Sequence, residues 1–342
     1  MNSALSKSIM IISNSISGGG AEISMMRLFE VLRSKGLCVK ISALNKDENT
    51  EIPSDNVAVI GREWGSGFFS TIRNLIKFRQ HLKIQNPDIL LVNCELPELY
   101  VSLCAPAGSA IFVVEHTSRP WNGRKVLGFS VRTILLWRRA KWITVSRDKS
   151  LIWPYSIEPV FIPNSHIQLS PRGGFASADL VFVGRLNQGK HPEIIAFAAQ
   201  QTYSTADFFG DGPDMKFLRE NFNSAGIKFH GFVNHPWEQI SSNSIVIVAS
   251  EFEGDGMNIV EAVANGNPIL LADNSDLRRF DFPDANYFKT VNDLISKIEE
   301  AKIIGTEHLS IPNSIRSKML KEREPYRVAE QWIDLFHGKT QL

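Results

Sequence analysis

The feature of this sequence that most restricts its fold is a repeated pair of segments, a short continuous apolar run followed by an amphipathic stretch. Apolar runs that do not alternate with polar residues are typical of parallel strands buried on both faces. The stretch after the first run has helical spacing at Met25, Leu28 and Leu32, and Gly36 is a stop signal. Five runs lie in the first half of the chain: Ile9–Ser13, Val39–Leu44, Ile89–Asn93, Ala110–Val114 and Trp142–Val145.

The same pattern starts again after residues 154–177, a loop rich in Pro, Asn, Ser and Gly. Two consecutive series predict an α/β protein with two facing, doubly wound Rossmann-like domains and a ligand cleft between them. We expect domains at 1–160 and 161–325, with a last helix at 326–342 that crosses back onto the first domain. The runs of the second series are Leu180–Val183, Ala206–Phe209, Ile227–Phe229, Ile245–Ala249 and Pro268–Ala272.

Cysteine content and charge indicate the cellular compartment and the kind of partner that suit this chain of 342 residues. The three cysteines form no Cys-x-x-Cys pair, which argues against a disulfide framework or a cysteine zinc site and favours the cytosol. No apolar run approaches the roughly 18 residues that span a bilayer. Residues 1–160 carry 20 Lys and Arg against 13 Asp and Glu, whereas residues 161–342 carry 17 against 23. The basic half suggests an anionic partner, such as a phosphorylated substrate, a membrane surface or a nucleic acid.

Three glycines, Gly18, Gly19 and Gly20, connect the first strand to the first helix. Successive glycines at such a turn allow backbone N–H groups to approach an anion at the positive end of the helix. The segment is neither a dinucleotide fingerprint nor a P-loop, and a tight turn without a ligand is the alternative.

Cations and carboxylates follow strands of the second series. Arg185 and Lys190 lie on either side of a short loop, where they could clamp two phosphates or merely be solvated. Glu253 lies in a loop with Gly254, and Glu261 lies in a short helix over 258–264 among apolar residues, where a carboxylate needs a partner.

Five motifs in order resemble the retaining GT-B glycosyltransferases of family 4. The resemblance is strong over residues 180–273 and weaker over the first 165 residues. Its motifs are Gly18 to Glu22, Val183 to Leu186 with Lys190, Phe209 to Pro213, Phe229 to Val233, and Glu253-x7-Glu261.

The resemblance implies roles for these residues. Arg185 and Lys190 would hold the donor diphosphate, which Gly18, Gly19 and Gly20 would approach from the other domain. Glu253 would contact hydroxyls of the transferred sugar, and Glu261 would bind the ribose. His116, after the strand Ala110–Val114, matches a histidine near the reacting centre, although a structural histidine is the alternative. The further donor-binding residues are Phe232 and Val233 beside the nucleobase, and Gly254, Asn258 and Ile259.

The sequence departs from the family pattern at two positions, where it has Asp255 and Ser165. Asp255 replaces a usually apolar residue, which suggests a change in the sugar accepted. The resemblance implies no metal and no cofactor, with a UDP- or GDP-sugar as the co-substrate.

The acceptor is indicated only by composition. Residues 119–149 contain nine Lys and Arg and one acid, interleaved with Trp and Phe. Such a mixture suits an anionic membrane surface or a lipid-linked acceptor, and a solvated helix over core tryptophans is the alternative. A nucleic-acid partner is not expected, because no nucleic-acid-binding motif is present.

Together these features predict a retaining, metal-independent hexosyltransferase that transfers a sugar to a glycan or lipid-linked acceptor. By family analogy, its setting would be bacterial surface polysaccharide or lipopolysaccharide synthesis in the cytoplasm, on the inner face of the membrane if residues 119–149 contact lipid. The rivals are a sugar-nucleotide epimerase or hydrolase of the same fold and a non-catalytic nucleotide-sugar-binding protein.

Overall fold

The chain forms two compact units. The computed structural model describes residues 7–16, 18–46, 56–62, 68–116, 120–146, 152–166 and 178–339. The first unit comprises Met1–Ser165 and Glu324–Leu342, and the second comprises His166–Arg323. The predicted boundaries at 160/161 and 325/326 lie near these divisions.

In the described part of the chain, a parallel sheet of seven strands forms the centre of the first unit. Its elements are β1 (Ile9–Ser13), α1 (Gly20–Ser34), β2 (Val39–Asn45), β3 (Val57–Arg62), α2 (Phe68–Gln85), β4 (Ile89–Asn93), α3 (Glu95–Cys104), β5 (Ala110–Glu115), α4 (Lys125–Trp137), β6 (Lys141–Thr144) and β7 (Val160–Phe161). The strand order is β3-β2-β1-β4-β5-β6-β7, and all neighbouring strands are parallel. The order changes direction between β1 and β4, the point at which open α/β sheets bind ligands.

Helices cover both faces of this sheet, which is why its strands are apolar on both sides. One face packs on α1 through buried residues such as Leu28 and Phe29. The other face packs on α2, α3 and α4, which contribute Phe78, Tyr100 and Leu135 to a second buried cluster.

The second unit repeats this design with a parallel sheet of six strands in the described residues. Its elements are β8 (Leu180–Val183), α5 (Pro192–Gln201), β9 (Ala206–Phe209), α6 (Met215–Asn221), β10 (Ile227–Gly231), β11 (Ile245–Val248), α7 (Met257–Asn265), β12 (Ile269–Ala272), α8 (Ser275–Arg278), β13 (Tyr287–Phe288), α9 (Val291–Ile304) and α10 (Asn313–Glu322). The strand order is β10-β9-β8-β11-β12-β13, so β8 and β11 flank the change of direction.

The last helix, α11 (Pro325–Phe336), belongs to the first unit. Its side chains Trp332 and Leu335 lie in the same buried cluster as Leu28 of α1. Glu324 caps the helix, because its carboxylate accepts hydrogen bonds from the backbone N–H groups of Tyr326 and Arg327.

The predicted fold class, two Rossmann-like α/β domains, is confirmed, and all ten predicted strands are present. Three further strands, β3, β7 and β13, are absent from the prediction. All three are edge strands. Two of them have only two residues, and β3, although it contains an apolar run at 57–60, is only half-buried.

Candidate functional site

The loops at the carboxyl ends of β8, β9 and β10 form one closely packed backbone platform. The N–H of Gly184 donates to Phe209 O at 2.9 Å, and the N–H of Gly210 donates to Gly231 O at 2.8 Å. A side chain at Gly210 would overlap the carbonyl of Gly184, and one at Gly212 would overlap that of Leu186. The glycine motif at 209–213 is therefore required by loop packing, whatever the platform binds.

The platform brings together two of the predicted site residues. Lys190 Nζ lies 2.5 Å from Glu253 Oε1, and Ser250 Oγ donates to the same oxygen at 2.8 Å. Glu253 is 8% exposed, whereas Arg185 is exposed at the end of β8. The N–H of Glu251 donates to Gly189 O at 3.0 Å, so the Glu253 loop is also held to the Lys190 loop by backbone. A cation and a carboxylate from two separate loops thus meet, and Arg185 lies in the same loop as Lys190.

Residues that the sequence analysis does not single out hold the Glu253 loop in place. Arg279 Nη2 donates to Gly254 O at 2.8 Å, and Asn274 Nδ2 donates to Ser250 O at 2.9 Å. The N–H of Glu253 donates to Asp276 Oδ2 at 3.3 Å. These side chains come from the segment after β12, which carries no glycine motif that would have marked it.

Glu261 has the partner that its apolar surroundings require. Trp237 Nε1 donates to Glu261 Oε2 at 2.6 Å, and both side chains are buried. Trp237 lies in a short 3-10 helix over Pro236–Glu238, shortly after the predicted nucleobase neighbours Phe232 and Val233. Phe232 is 45% exposed, and Val233 packs partly against the core.

Helix α7 carries two further residues that the sequence predicts to bind the nucleotide sugar, Asn258 and Ile259. Asn258 Nδ2 donates to Val183 O at 3.1 Å, which anchors the start of the helix to the end of β8. The side chain of Ile259 is fully buried in the core. Any ligand contact of Ile259 must therefore come from its backbone rather than from its side chain.

Asp255 forms a buried ion pair. Arg323 Nη2 lies 2.7 Å from Asp255 Oδ1, and Nη1 donates to Oδ2 at 2.9 Å. The pair connects the Glu253 loop to the residue at which the chain leaves the second unit. The departure from the family pattern at this position therefore has a structural partner within the same chain.

In the first unit, Gly19 is the N-cap of α1, and Gly18, Gly19 and Gly20 are all exposed. Gly18 has φ +128°, which a side chain rarely tolerates. Glu22 lies in the first turn, and its carboxylate is close enough to Gly19 to contact a side chain built there. An anion at this helix terminus would meet that carboxylate as well as the N–H groups.

A pocket of about 670 Å³ opens at the carboxyl ends of β1 to β5 in this unit. His116, half-buried at the end of β5, is one of its lining residues. Asn14, Asn45 and Arg62 line one side, and Glu95, Glu98 and Glu115 line the other. The volume lies in the range of small-molecule sites, and the mixed polar wall suits a hydroxyl-rich ligand.

A buried ionic network forms the acidic wall. Arg132 Nε and Nη2 donate to the two oxygens of Glu98 at 3.0 and 2.7 Å, and Nη2 also donates to Glu115 at 2.8 Å. Trp121 adds a hydrogen bond from Nε1 to Glu98 at 2.9 Å and one from its backbone N–H to Glu95 at 2.5 Å. Burial raises the pKa of Glu98 to about 7, against the opposing effect of Arg132. Nothing in the sequence pattern marks Glu98 and Arg132 as different from ordinary helix residues.

The predicted basic segment at 119–149, of which residues 120–146 are described, has both buried and exposed side chains. Trp121, Arg132 and Trp142 are buried, so these three residues cannot contribute to a membrane-facing surface, and the two tryptophans are core residues. Trp137 is 81% exposed, and Arg139 is exposed as well. No helix in the described residues has both the length and the apolar character needed to cross a membrane. Groups of three or more possible metal ligands are likewise not found among them.

In the comparison with known proteins, the match to a family profile lies within the second unit. Residues 177–284 match the profile of the family described as glycosyl transferases group 1. This region contains the platform, Lys190, Glu253 and Glu261. A search of curated proteins finds no significant match.

Solved structures resemble the chain over nearly its whole length. The apo form of the lipopolysaccharide outer core galactosyltransferase WaaB is 17% identical, with a TM-score of 0.63 and coverage of 97% of this chain and 100% of that one. HepE of Anabaena, in complex with UDP and glucose, is 16% identical, with a TM-score of 0.79 and the same coverage. The pneumococcal O-GlcNAc transferase GtfA, in complex with UDP and GlcNAc, is 11% identical, with a TM-score of 0.74 and coverage of 97% and 99%. At these identities the similarity establishes the fold, which is GT-B.

Proposed function

We propose that this chain is a retaining glycosyltransferase that moves a hexose from a nucleotide diphosphate sugar to a glycan or lipid-linked acceptor. The profile match at 177–284 and the GT-B fold support glycosyltransferase activity. The setting would be bacterial surface polysaccharide or lipopolysaccharide synthesis, which is suggested by the described role of WaaB.

The observation that carries this proposal is the Lys190–Glu253 pair, with Arg185 exposed in the same loop as Lys190. The Lys190 ammonium is paired with Glu253 at 2.5 Å. A bound diphosphate would supply a second anionic partner for Lys190, and Arg185 is exposed at the same loop for a bidentate contact. Glu253 would then accept hydrogen bonds from hydroxyls of the sugar next to the diphosphate.

Glu261 would bind the nucleoside part of the donor. Its carboxylate is oriented by Trp237, and a carboxylate can accept hydrogen bonds from two neighbouring ribose hydroxyls. Phe232 is exposed at the end of β10, where its ring could lie against the base. UDP is the nucleotide named in two of the similar structures described above, and we propose UDP or GDP for this chain.

The reaction would proceed with retention of configuration. The bond between the anomeric carbon and the diphosphate oxygen breaks, and the acceptor oxygen bonds to that carbon on the same face. The departing diphosphate oxygen takes the proton of the acceptor hydroxyl, so the enzyme needs no separate base. Arg185 and Lys190 would stabilise the charge that develops on the diphosphate, in the place that a divalent ion takes in other transferases.

The first unit would bind the acceptor in the pocket lined by His116. Asn45 Nδ2 and Arg62 Nε are buried pocket-lining groups without a hydrogen-bond partner among the described residues. Buried donors of this kind favour a ligand that can accept hydrogen bonds, such as a sugar. His116 would lie near the reacting hydroxyl.

Donor binding can be tested by calorimetric titration with UDP and with GDP. Arg185→Ala should weaken binding roughly tenfold or more, because it removes a charge-assisted contact of about 1.5–3 kcal/mol. Lys216→Ala is the matched control, since Lys216 is an exposed lysine of α6 in the same unit. Equal affinities of wild type and Arg185→Ala would contradict the phosphate assignment.

Product analysis separates the transferase from its rivals. A transferase yields a glycosylated product only when an acceptor is present. A hydrolase releases free sugar at an undiminished rate without one, an epimerase returns an altered nucleotide sugar, and a binding protein leaves the donor unchanged.

A further inference from the structure

The outer face of α2 is apolar where the helix of a soluble α/β domain is ordinarily polar. Phe69 is 85% exposed, Ile84 is 79% exposed, and Ile72 and Ile76 are also exposed. Phe69, Ile72 and Ile76 follow one another at intervals of three and four residues, so they lie on one side of the helix. The opposite side carries Phe78 and Leu82, which are fully buried.

The same outer face is strongly basic. Helix α2 contains four Lys and Arg and no Asp or Glu in the sequence Phe68–Gln85. The cations, all exposed, are Arg73, Lys77, Arg79 and Lys83. With no carboxylate on this helix, intrahelical ion pairs cannot neutralise them.

Helix α4 carries the same combination of residues. Val126, Phe129 and Trp137 are exposed, and Arg124 and Lys125 are exposed at its beginning. The helix itself contains no Asp or Glu. Because α3 packs against both α2 and α4, the three helices form one layer on one face of the sheet.

The charges identify the kind of surface that this layer fits. A second copy of the same layer is disfavoured, because cations would face cations. An anionic bilayer offers phosphates to the lysines and arginines, and its interfacial region accepts exposed Phe, Ile and Trp side chains.

We propose that the outer faces of α2 and α4 together bind the first unit to an anionic lipid bilayer. Helix α2 supplies most of this surface, although it lies outside the basic segment at 119–149. The bilayer contact is peripheral and is independent of the nucleotide-binding residues of the second unit.

The native reporter of this contact is Trp137. Among the described residues it is the most exposed tryptophan, at 81%. The full-length protein is mixed with vesicles of phosphatidylglycerol and phosphatidylcholine in which the acyl chains carry bromine, a fluorescence quencher. Quenching that disappears in Trp137→Phe is the expected result. Unquenched Trp137 would overturn the placement of α4 in the interface.

Co-sedimentation with the same vesicles, unbrominated, tests α2. The double variant Arg73→Glu/Lys77→Glu should bind at least about tenfold more weakly, because two attractive charges become repulsive. The variant Phe69→Ser should also bind more weakly. Binding by wild type should fall as salt rises, since the screening length shortens from about 10 Å at 0.1 M to about 3 Å at 1 M.

Matched control variants in the second unit test whether weaker vesicle binding comes only from the change in total charge or from the loss of one exposed apolar side chain. Lys216→Glu/Lys228→Glu changes the total charge by the same amount as the α2 variant, and Phe217→Ser removes another exposed phenylalanine. Both controls should bind vesicles like wild type. The proposal is overturned by equal loss in the controls, by equal binding to pure phosphatidylcholine, or by no vesicle binding at low salt.

Discussion

Replacing Arg132 with methionine should destabilise the first unit by about 3–5 kcal/mol, the usual cost of removing one partner from a buried ion pair. Arg132 is fully buried and makes hydrogen bonds to Glu98, to Glu115 and to the carbonyl of Trp153. Methionine fills much of the same volume but leaves two buried carboxylates without their cation.

The loss of unfolding free energy caused by Arg132→Met should also depend on pH, and the direction of this dependence follows from the pKa of Glu98. The pKa of Glu98 is raised from 4.5 to about 7 by burial, so the folded state holds its proton more strongly than the unfolded state. The contribution of Glu98 to the unfolding free energy should therefore fall as the pH rises from about 4.5 to about 7. Removing Arg132 raises the pKa of Glu98 further, because the guanidinium favours the ionised carboxylate. The difference between wild type and Arg132→Met should consequently widen as the pH rises.

Urea unfolding at about pH 5.5 and about pH 8 measures both effects. Trp121, Trp142 and Trp153 surround Arg132, so intrinsic fluorescence reports on this part of the first unit. The control is Arg73→Met, an exposed arginine of α2, which should change stability by no more than about 0.5 kcal/mol. A loss of less than about 1 kcal/mol for Arg132→Met, or an equal loss at both pH values, would refute the reasoning.

Three further predictions concern the second unit. Gly212→Ala should lower stability by about 1–3 kcal/mol, because the Cβ of the alanine would overlap the carbonyl of Leu186. In the control Gly226→Ala, the added Cβ makes only ordinary contacts at 3.7 Å, so equal urea midpoints for the two variants would contradict the prediction. Asp255→Asn should cost about 1–3 kcal/mol by removing the carboxylate charge that pairs with Arg323, and a thermal shift like that of wild type would count against it. Treatment with EDTA should leave transferase activity largely unchanged, because Arg185 and Lys190 would stabilise the negative charge of the departing diphosphate. A loss of activity that only added Mg²⁺ or Mn²⁺ restores would refute this role of the two cations.

The sequence predicts the fold well because burial between two layers of helices requires the central strands to be apolar. Strands covered by helices on both faces must be continuously apolar, so β1 and β11, for example, are visible as runs of buried residues. The edge strands β3, β7 and β13 have one open side and are short or half-buried. Strands β7 and β13, with two residues each, therefore leave no comparable pattern, whereas β3 contains an apolar run at 57–60 that the prediction omits.

The sequence also predicts much of the second unit's site, because its residues belong to local motifs. Lys190 and Glu253 lie 63 residues apart in the chain, yet the structure brings them to 2.5 Å. The first unit's pocket could not be predicted in the same way. Arg132, Glu98 and Glu115 lie on α4, α3 and β5, and only the packing of these elements shows that three charged side chains share one buried site.

The motifs of the second unit do not all carry the same weight as evidence for ligand binding. The glycines at 210 and 212 are needed for backbone packing, and any protein with this arrangement of loops would require them. Lys190 has no comparable structural necessity, since its side chain is 24% exposed and could reach water instead of Glu253. A partly exposed ammonium held beside a buried carboxylate, with Arg185 exposed nearby, is an arrangement that loop packing alone does not require. The cations therefore argue for a phosphate ligand more strongly than the glycines do, and Arg185→Ala is the more informative variant for testing function.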